Sequence, residues 1–163
     1  MKTEGLFTTH VKTVKFQEYN KPIKLWFLAD VHANSKNHSR TLFDSFLQEA
    51  SQNDYQHIFL SLGDSLDTCS DSERMSFKSM SFHDDTEETI EEVISRHTDE
   101  YIQKVSPVLG GKTIGVLGGN HWWKFEDSTT TEMRIARGLK APYLGDACFL
   151  SLILQYRDTS FTH

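Results

Sequence analysis

The stretch KLWFLADVH, Lys24 to His32, runs from a short apolar segment directly into Asp-x-His. Lys24 to Ala29 is mostly apolar and ends in polar residues, the pattern of a buried strand. The same arrangement recurs twice. Tyr55 to Leu62 (YQHIFLSL) reads as a strand followed by Gly63-Asp64-Ser65-Leu66-Asp67, and Thr113 to Leu117 (TIGVL) as a strand followed by Gly118-Gly119-Asn120-His121. Between the first two, Ser39 to Asn53 places Leu42, Phe43, Phe46, Leu47 and Ala50 at helical spacing. Between the second and third, Thr86 to Val105 carries Ile90, Val93, Ile94, His97, Tyr101, Ile102 and Val105 on one face, with Asp85 and Glu88 in capping-box register. Strand–helix–strand–helix–strand predicts an α/β sheet with parallel neighbours.

Further along, Thr129 with Glu132 predicts the cap of a helix reaching Leu139. Ala147 to Tyr156 and Ser160 to His163 predict a closing hairpin turned at Arg157-Asp158, which would add a mixed or second-sheet element. The serine-rich segment from Ser65 to Asp85 has no periodicity. It reads as a solvated excursion in preference to a lid over a site.

At 163 residues the chain is expected to form one domain, 1–163. With 37% hydrophobic and 25% charged residues it has the material for a core and lies outside the disordered class. Its net charge of −6 excludes a chain that is basic overall and built to wrap nucleic acid or anionic lipid, while a local basic patch stays open. No apolar run approaches the roughly 20 residues of a membrane span, and Met1 to Lys12 lacks the apolar core of a secretory leader. The two cysteines, Cys69 and Cys148, form no CxxC pair, which points to free thiols in a reducing, cytoplasmic setting. Eight histidines against two cysteines direct attention to a histidine-and-carboxylate site.

In parallel α/β sheets the chemistry gathers at the carboxyl ends of the strands. Here those ends carry Asp30 and His32, then Asp64, then Asn120 and His121. Each piece alone is ordinary turn chemistry. Together, each at a strand end, they predict a shared metal site of oxygen and nitrogen ligands suited to Mn, Fe or Zn. Gly63 and Gly119 permit the tight turns that aim such side chains inward.

These blocks resemble the calcineurin-like metallophosphoesterases, whose pattern is D-x-H, then G-D-x-x-D, then G-N-H with an acid after it, a later histidine and a final G-H-x-H. Asp30/His32, Gly63/Asp64/Asp67 and Gly119/Asn120/His121 match the first three blocks. The resemblance covers Lys24 to about Trp123, and the run APYLGDACFLSLIL from Ala141 is similar to phage and bacterial members. It implies a partial αββα sandwich, a mixed sheet with flanking helices.

The resemblance also implies two divalent metal ions (Mn, Fe or Zn) roughly 3.5–4 Å apart, and hydrolysis of a phosphomonoester or phosphodiester by a metal-bridging hydroxide. Asp64 would bridge the ions, Asp30 and His32 would bind the first, and Asn120 the second. His121 would be the catalytic general acid or a stabiliser of phosphate charge. Asp67 would stand behind a ligand histidine.

The chain departs from the pattern in two places. Trp122 follows Gly-Asn-His where the family has an acid, so Glu126 or Asp127 is the expected substitute. Trp122 and Trp123 read as packing residues or as an apolar wall for a substrate base, with Trp122 the substrate-binding candidate. No G-H-x-H is present, and His163, closing the run SFTH, is the candidate for the remaining metal ligand or its neighbour. With half of the usual sandwich, an exposed sheet face and edge would invite self-association or pairing with a missing C-terminal half.

Two other readings compete with a phosphoesterase. One is a catalytically incompetent domain serving as a binding module. The other is a fragment of a DNA or RNA phosphodiesterase, for which Lys124, Arg134, Arg137 and Lys140 are the basic candidates, although Arg134 and Arg137 look like an ordinary solvated helix face.

Overall fold

A computed structural model describes residues 8–16, 18–68 and 84–156, with the backbone alone for 84–88. The elements run in the order β1 (Thr8–Phe16), β2 (Ile23–Leu28), α1 (Arg40–Ser51), β3 (Gln56–Ser61), α2 (Asp84–Leu109), β4 (Thr113–Val116), α3 (Thr131–Gly138) and β5 (Cys148–Tyr156). The three strands marked by KLWFLA, YQHIFLSL and TIGVL form one parallel sheet in the order β2-β3-β4. β1 and β5 form a second, also parallel, with Thr8 opposite Cys148 and Phe16 opposite Tyr156.

The expected mixed sheet is not found among the described residues. β5 joins the second sheet, as one of the expected alternatives had it, but runs parallel to β1, a strand from the far end of the chain. Parallel neighbours need a crossover, and here nearly the whole domain lies between the two. Ser160 to His163, the other arm of the expected hairpin, and Arg157-Asp158, its turn, lie outside the described residues.

The layers follow from side-chain alternation. On β3, Ile58 and Leu60 face the second sheet, where they pack with Phe16, Ile114 and Leu144. Phe59 faces the helices and packs with Leu28, Phe43, Tyr101, Val105 and Ile135. A strand covered on both faces is apolar along most of its length, and from His57 to Ser61 β3 is buried at every position. Among the described residues, β5 is covered on one face. Cys148, Leu150 and Leu152 turn inward, while Phe149 (63% exposed) and Ile153 turn out.

Several local expectations shift. Leu42, placed on the apolar face of α1, is 72% exposed, and Phe43 and Ala50 are the residues of that helix buried in the core. Val93 is exposed on α2, where Ile94, Tyr101, Val105 and Leu109 carry the packing. Asp85 lies inside α2, which is already helical at Asp84. The cap of α3 is Thr130, whose hydroxyl accepts the Met133 N–H at 3.2 Å, not Thr129. Glu132 does not complete a capping box there, because its carboxylate is used elsewhere.

Candidate metal centre

All three marked strands deliver their carboxyl ends to one place, and the backbone stitches the loops together. Leu62 N–H donates to Leu28 O at 2.7 Å, His32 N–H to Asp64 O at 3.0 Å, Ala33 N–H to Ser65 O at 3.0 Å and Leu117 N–H to Ser61 O at 2.9 Å. Asp64 Oδ1 then accepts the backbone N–H groups of Asn120 (2.8 Å) and His121 (2.7 Å). One carboxylate oxygen thus holds the Gly-Asn-His turn against the Gly-Asp turn.

The close approach explains two glycines. A Cβ on Gly63 would run into the Gly118 carbonyl, and one on Gly119 into the Asp64 carboxylate; both residues sit at positive φ, +100° and +103°. More telling is the backbone of three non-glycine residues. Asp30 (φ 52°), His32 (φ 45°) and Asp64 (φ 52°) are all left-handed. Such conformations cost free energy and persist where the surroundings over-determine them, a frequent property of ligand-holding turns.

The side chains assemble into two overlapping groups. His32, Asp67 and His121 each offer an atom within 4.8 Å of the others, as do Asp30, His32 and Asp64. His32 belongs to both. Asp67 Oδ1 lies 3.0 Å from His121 Nδ1 and 3.8 Å from His32 Nδ1, while Asp30 Oδ1 lies 3.9 Å from His32 Nε2. Yet both Nδ1 atoms are buried without a hydrogen-bond partner among the described residues, so Asp67 meets them as a charge, out of line for a hydrogen bond. A His32 ring nitrogen grouped with the carboxylates of Asp30, Asp64 and Asp67 is a donor set that a divalent cation satisfies. The residues therefore fit such an ion.

Asp67, expected behind a ligand, stands among the potential ligand atoms, and it also supplies the acid beside His121 that Glu126 and Asp127 were expected to provide. The Asp127 carboxylate is engaged elsewhere, by Thr129 and Arg134, and the Glu126 backbone N–H donates to the Glu91 carboxylate. Asn120 presents an exposed side chain at the turn. Trp122 is half-buried and is not among the residues that line the adjoining cleft; His163 lies outside the described residues.

Sequence reading missed three contributors. Asn34 brackets Asp67, donating to its carbonyl at 2.9 Å and accepting its N–H at 2.6 Å. His38 Nδ1 bonds Val31 O at 2.8 Å, and His38 lines the open cleft of about 640 Å³ beside Asp30, His32, Asp67 and His121. Behind the site, Glu132 of α3 is 1% exposed and holds Ser65, the neighbour of Asp64. Burial pushes its carboxyl up to about 7, opposed by the Ser65 hydrogen bonds and reinforced by the Asp64 charge. Burial and the Glu132 charge likewise push the Tyr101 hydroxyl upward. No spacing signal marks Asn34 or His38, and Glu132 was legible only as a helix-start acid.

The chain matches no protein-family model, no curated protein and no solved structure. Among the described residues, no helix is long and apolar enough to cross a membrane.

Proposed function

We propose that this chain is a metal-dependent phosphoesterase acting on a phosphomonoester or phosphodiester at the carboxyl ends of β2, β3 and β4. The observation that carries the reading is the convergence of Asp30, His32, Asp64, Asp67 and His121 from three separate strand ends beside one open cleft. Asp30, His32, Asp64 and Asp67 would hold divalent cations (Mn, Fe or Zn), with Asn120 contributing at the Gly-Asn-His turn. Bound there, such ions activate water near neutral pH and neutralise phosphate oxygens.

The chain's own residues do the rest. Asp64 fixes the geometry by clamping the Asn120 and His121 amides while keeping its second oxygen for a ligand. His121 is the proton donor to the leaving oxygen, and Asp67 at 3.0 Å offers a counter-charge when the imidazole carries a proton. The cleft, walled by Leu42, Phe43 and Phe46, gives the ester's organic group an apolar surface. The half-buried Cys148 thiol is compatible with a cytoplasmic setting.

The test is a manganese titration by calorimetry on the wild type and Asp64→Asn, with bis(nitrophenyl) phosphate turnover measured in the same samples. Saturable binding with turnover, both lost in the variant, supports the reading. Binding without turnover favours a metal-binding module, and no binding overturns the metal centre.

A further inference from the structure

At the opposite ends of the same strands lies a second concavity of about 550 Å³, between β1 and the starts of β3 and β4. Lys12, Lys15, Lys21, Lys112 and Lys140 all line it, together with Tyr55, and among the described residues no carboxylate does. In a chain of net charge −6 this is a local reversal of sign. Lys21 is already engaged, donating to Asn53 at 2.6 Å and facing Glu18 at 3.9 Å. The other four form no ion pair among the described residues.

Their convergence is built into the backbone. Gly111 (φ 72°) and Lys140 (φ 57°) are both left-handed, and Gly111 N–H donates to Leu139 O at 3.0 Å, which ties the turn bearing Lys112 to the turn bearing Lys140. Like charges gathered in a concavity repel one another and focus a positive potential outward, and an anionic ligand reverses that cost. Tyr55, 38% exposed as a residue, brings an aromatic ring to the groove, with the Lys24 ammonium 5.1 Å from its centroid and the His57 ring 5.9 Å away. A positive groove with an aromatic platform is the combination that holds single strands, phosphates on the lysines and a base on the ring.

We infer that this groove binds the phosphate backbone of a single-stranded nucleic acid, at a site separate from the metal centre. The inference does not rest on the phosphoesterase reading. Four phosphate contacts give a salt slope of about −2.8 for a single strand, hence about 50-fold weaker binding at 200 mM than at 50 mM salt.

The experiment is fluorescence anisotropy of a labelled oligothymidylate with the full chain in EDTA, which keeps the metal centre out of the measurement. Lys15, Lys112 and Lys140 are exposed, so the triple variant Lys15→Gln/Lys112→Gln/Lys140→Gln should keep the wild-type thermal melt. It should lose at least about tenfold in affinity at 50 mM salt, and its slope should fall to about −0.7. Asp64→Asn should bind like the wild type. Absence of wild-type binding at 50 mM salt, or an unchanged slope in the triple variant, overturns the inference. Equal displacement by inorganic tripolyphosphate per phosphate, with Tyr55→Ala leaving oligonucleotide affinity unchanged, overturns the nucleic-acid assignment in favour of a polyphosphate site.

Discussion

Glu132 grips Ser65 with both carboxylate oxygens: Oε1 accepts the Ser65 backbone N–H and Oε2 the Ser65 hydroxyl, each at 3.0 Å. Ser65 O in turn accepts the Ala33 N–H, and the preceding Asp64 O accepts the His32 N–H. A buried helix residue is thereby coupled through one serine to the loops that carry Asp30, His32 and Asp64. A carboxylate in this position loses hydration that two hydrogen bonds only partly replace.

That imbalance has a pH signature. The Glu132 carboxyl rises from 4.5 to about 7 on folding, so between those values the native state holds a proton that the unfolded chain has released. Stability therefore falls as pH rises from about 4.5 to about 7 and levels off above, by about 3 kcal/mol in all. Glu132→Gln cannot ionise, and its amide can still accept the Ser65 N–H. Urea midpoints in EDTA, taken across this range, should show the wild type losing stability relative to Glu132→Gln as pH rises. Parallel curves would show that Glu132 does not titrate in the native state.

The glycines at the strand ends give a second prediction. Gly63 and Gly111 both have positive φ, but only at Gly63 would a Cβ meet neighbouring backbone, the Gly118 carbonyl; Gly111 has open space within 4 Å. Gly111→Ala should cost about 1 kcal/mol, the conformational penalty alone. Gly63→Ala adds a backbone clash and should cost at least about 3 kcal/mol, with the strand ends forced apart. Equal thermal shifts in the two variants would remove the argument for close packing of the Gly63 and Gly118 turns.

What the sequence discloses and what it hides follow one rule. Strands β2, β3 and β4 were legible because they are short apolar runs, and the polar ends that converge at the site were legible because each breaks such a run abruptly. β1 was not, since Lys12 and His10 share its inward side with Val14 and Phe16 and blur the alternation. The parallel pairing of β5 with β1 was not, because register between distant segments leaves no local trace. Asp67 is the instructive residue of the site. Its position beside His121 comes from loop geometry fixed by Asn34, which no spacing pattern records.

Asp64 separates holding the fold from holding a cation. Its Oδ1 accepts two backbone N–H groups, and an asparagine can supply an oxygen in the same place. Asp64→Asn should stay within about 1 kcal/mol of wild-type stability while losing manganese affinity by at least tenfold. Asp64→Ala leaves the Asn120 and His121 amides without their acceptor and should cost about 2–4 kcal/mol as well. Paired melts and titrations test the split. If the asparagine variant unfolds as readily as alanine, the carboxylate's charge is structural.

Arg134 tests which basic residues belong to the fold. Its guanidinium donates to Thr129 Oγ1 at 3.0 Å, Ser95 Oγ at 3.1 Å and Asp127 Oδ2 at 3.3 Å, and lies over Phe125 with Cζ 3.4 Å from the ring centroid. The expectation of a solvated helix face fails here, because the planar fork ties the start of α3 to α2 and to the loop before it. The Thr129 hydrogen bonds, with a smaller contribution from Arg134, hold the Asp127 carboxyl below its ordinary value. Arg134→Ala should cost about 1–2 kcal/mol, lowering the melting temperature by about 5 °C. Arg134→Lys should recover little of this, since an ammonium cannot make three divergent hydrogen bonds while stacking on a ring. Neither variant should weaken oligonucleotide binding in EDTA, whereas Lys140→Gln should. A loss of oligonucleotide affinity in Arg134→Ala at unchanged melting temperature would move the nucleic-acid surface to α3.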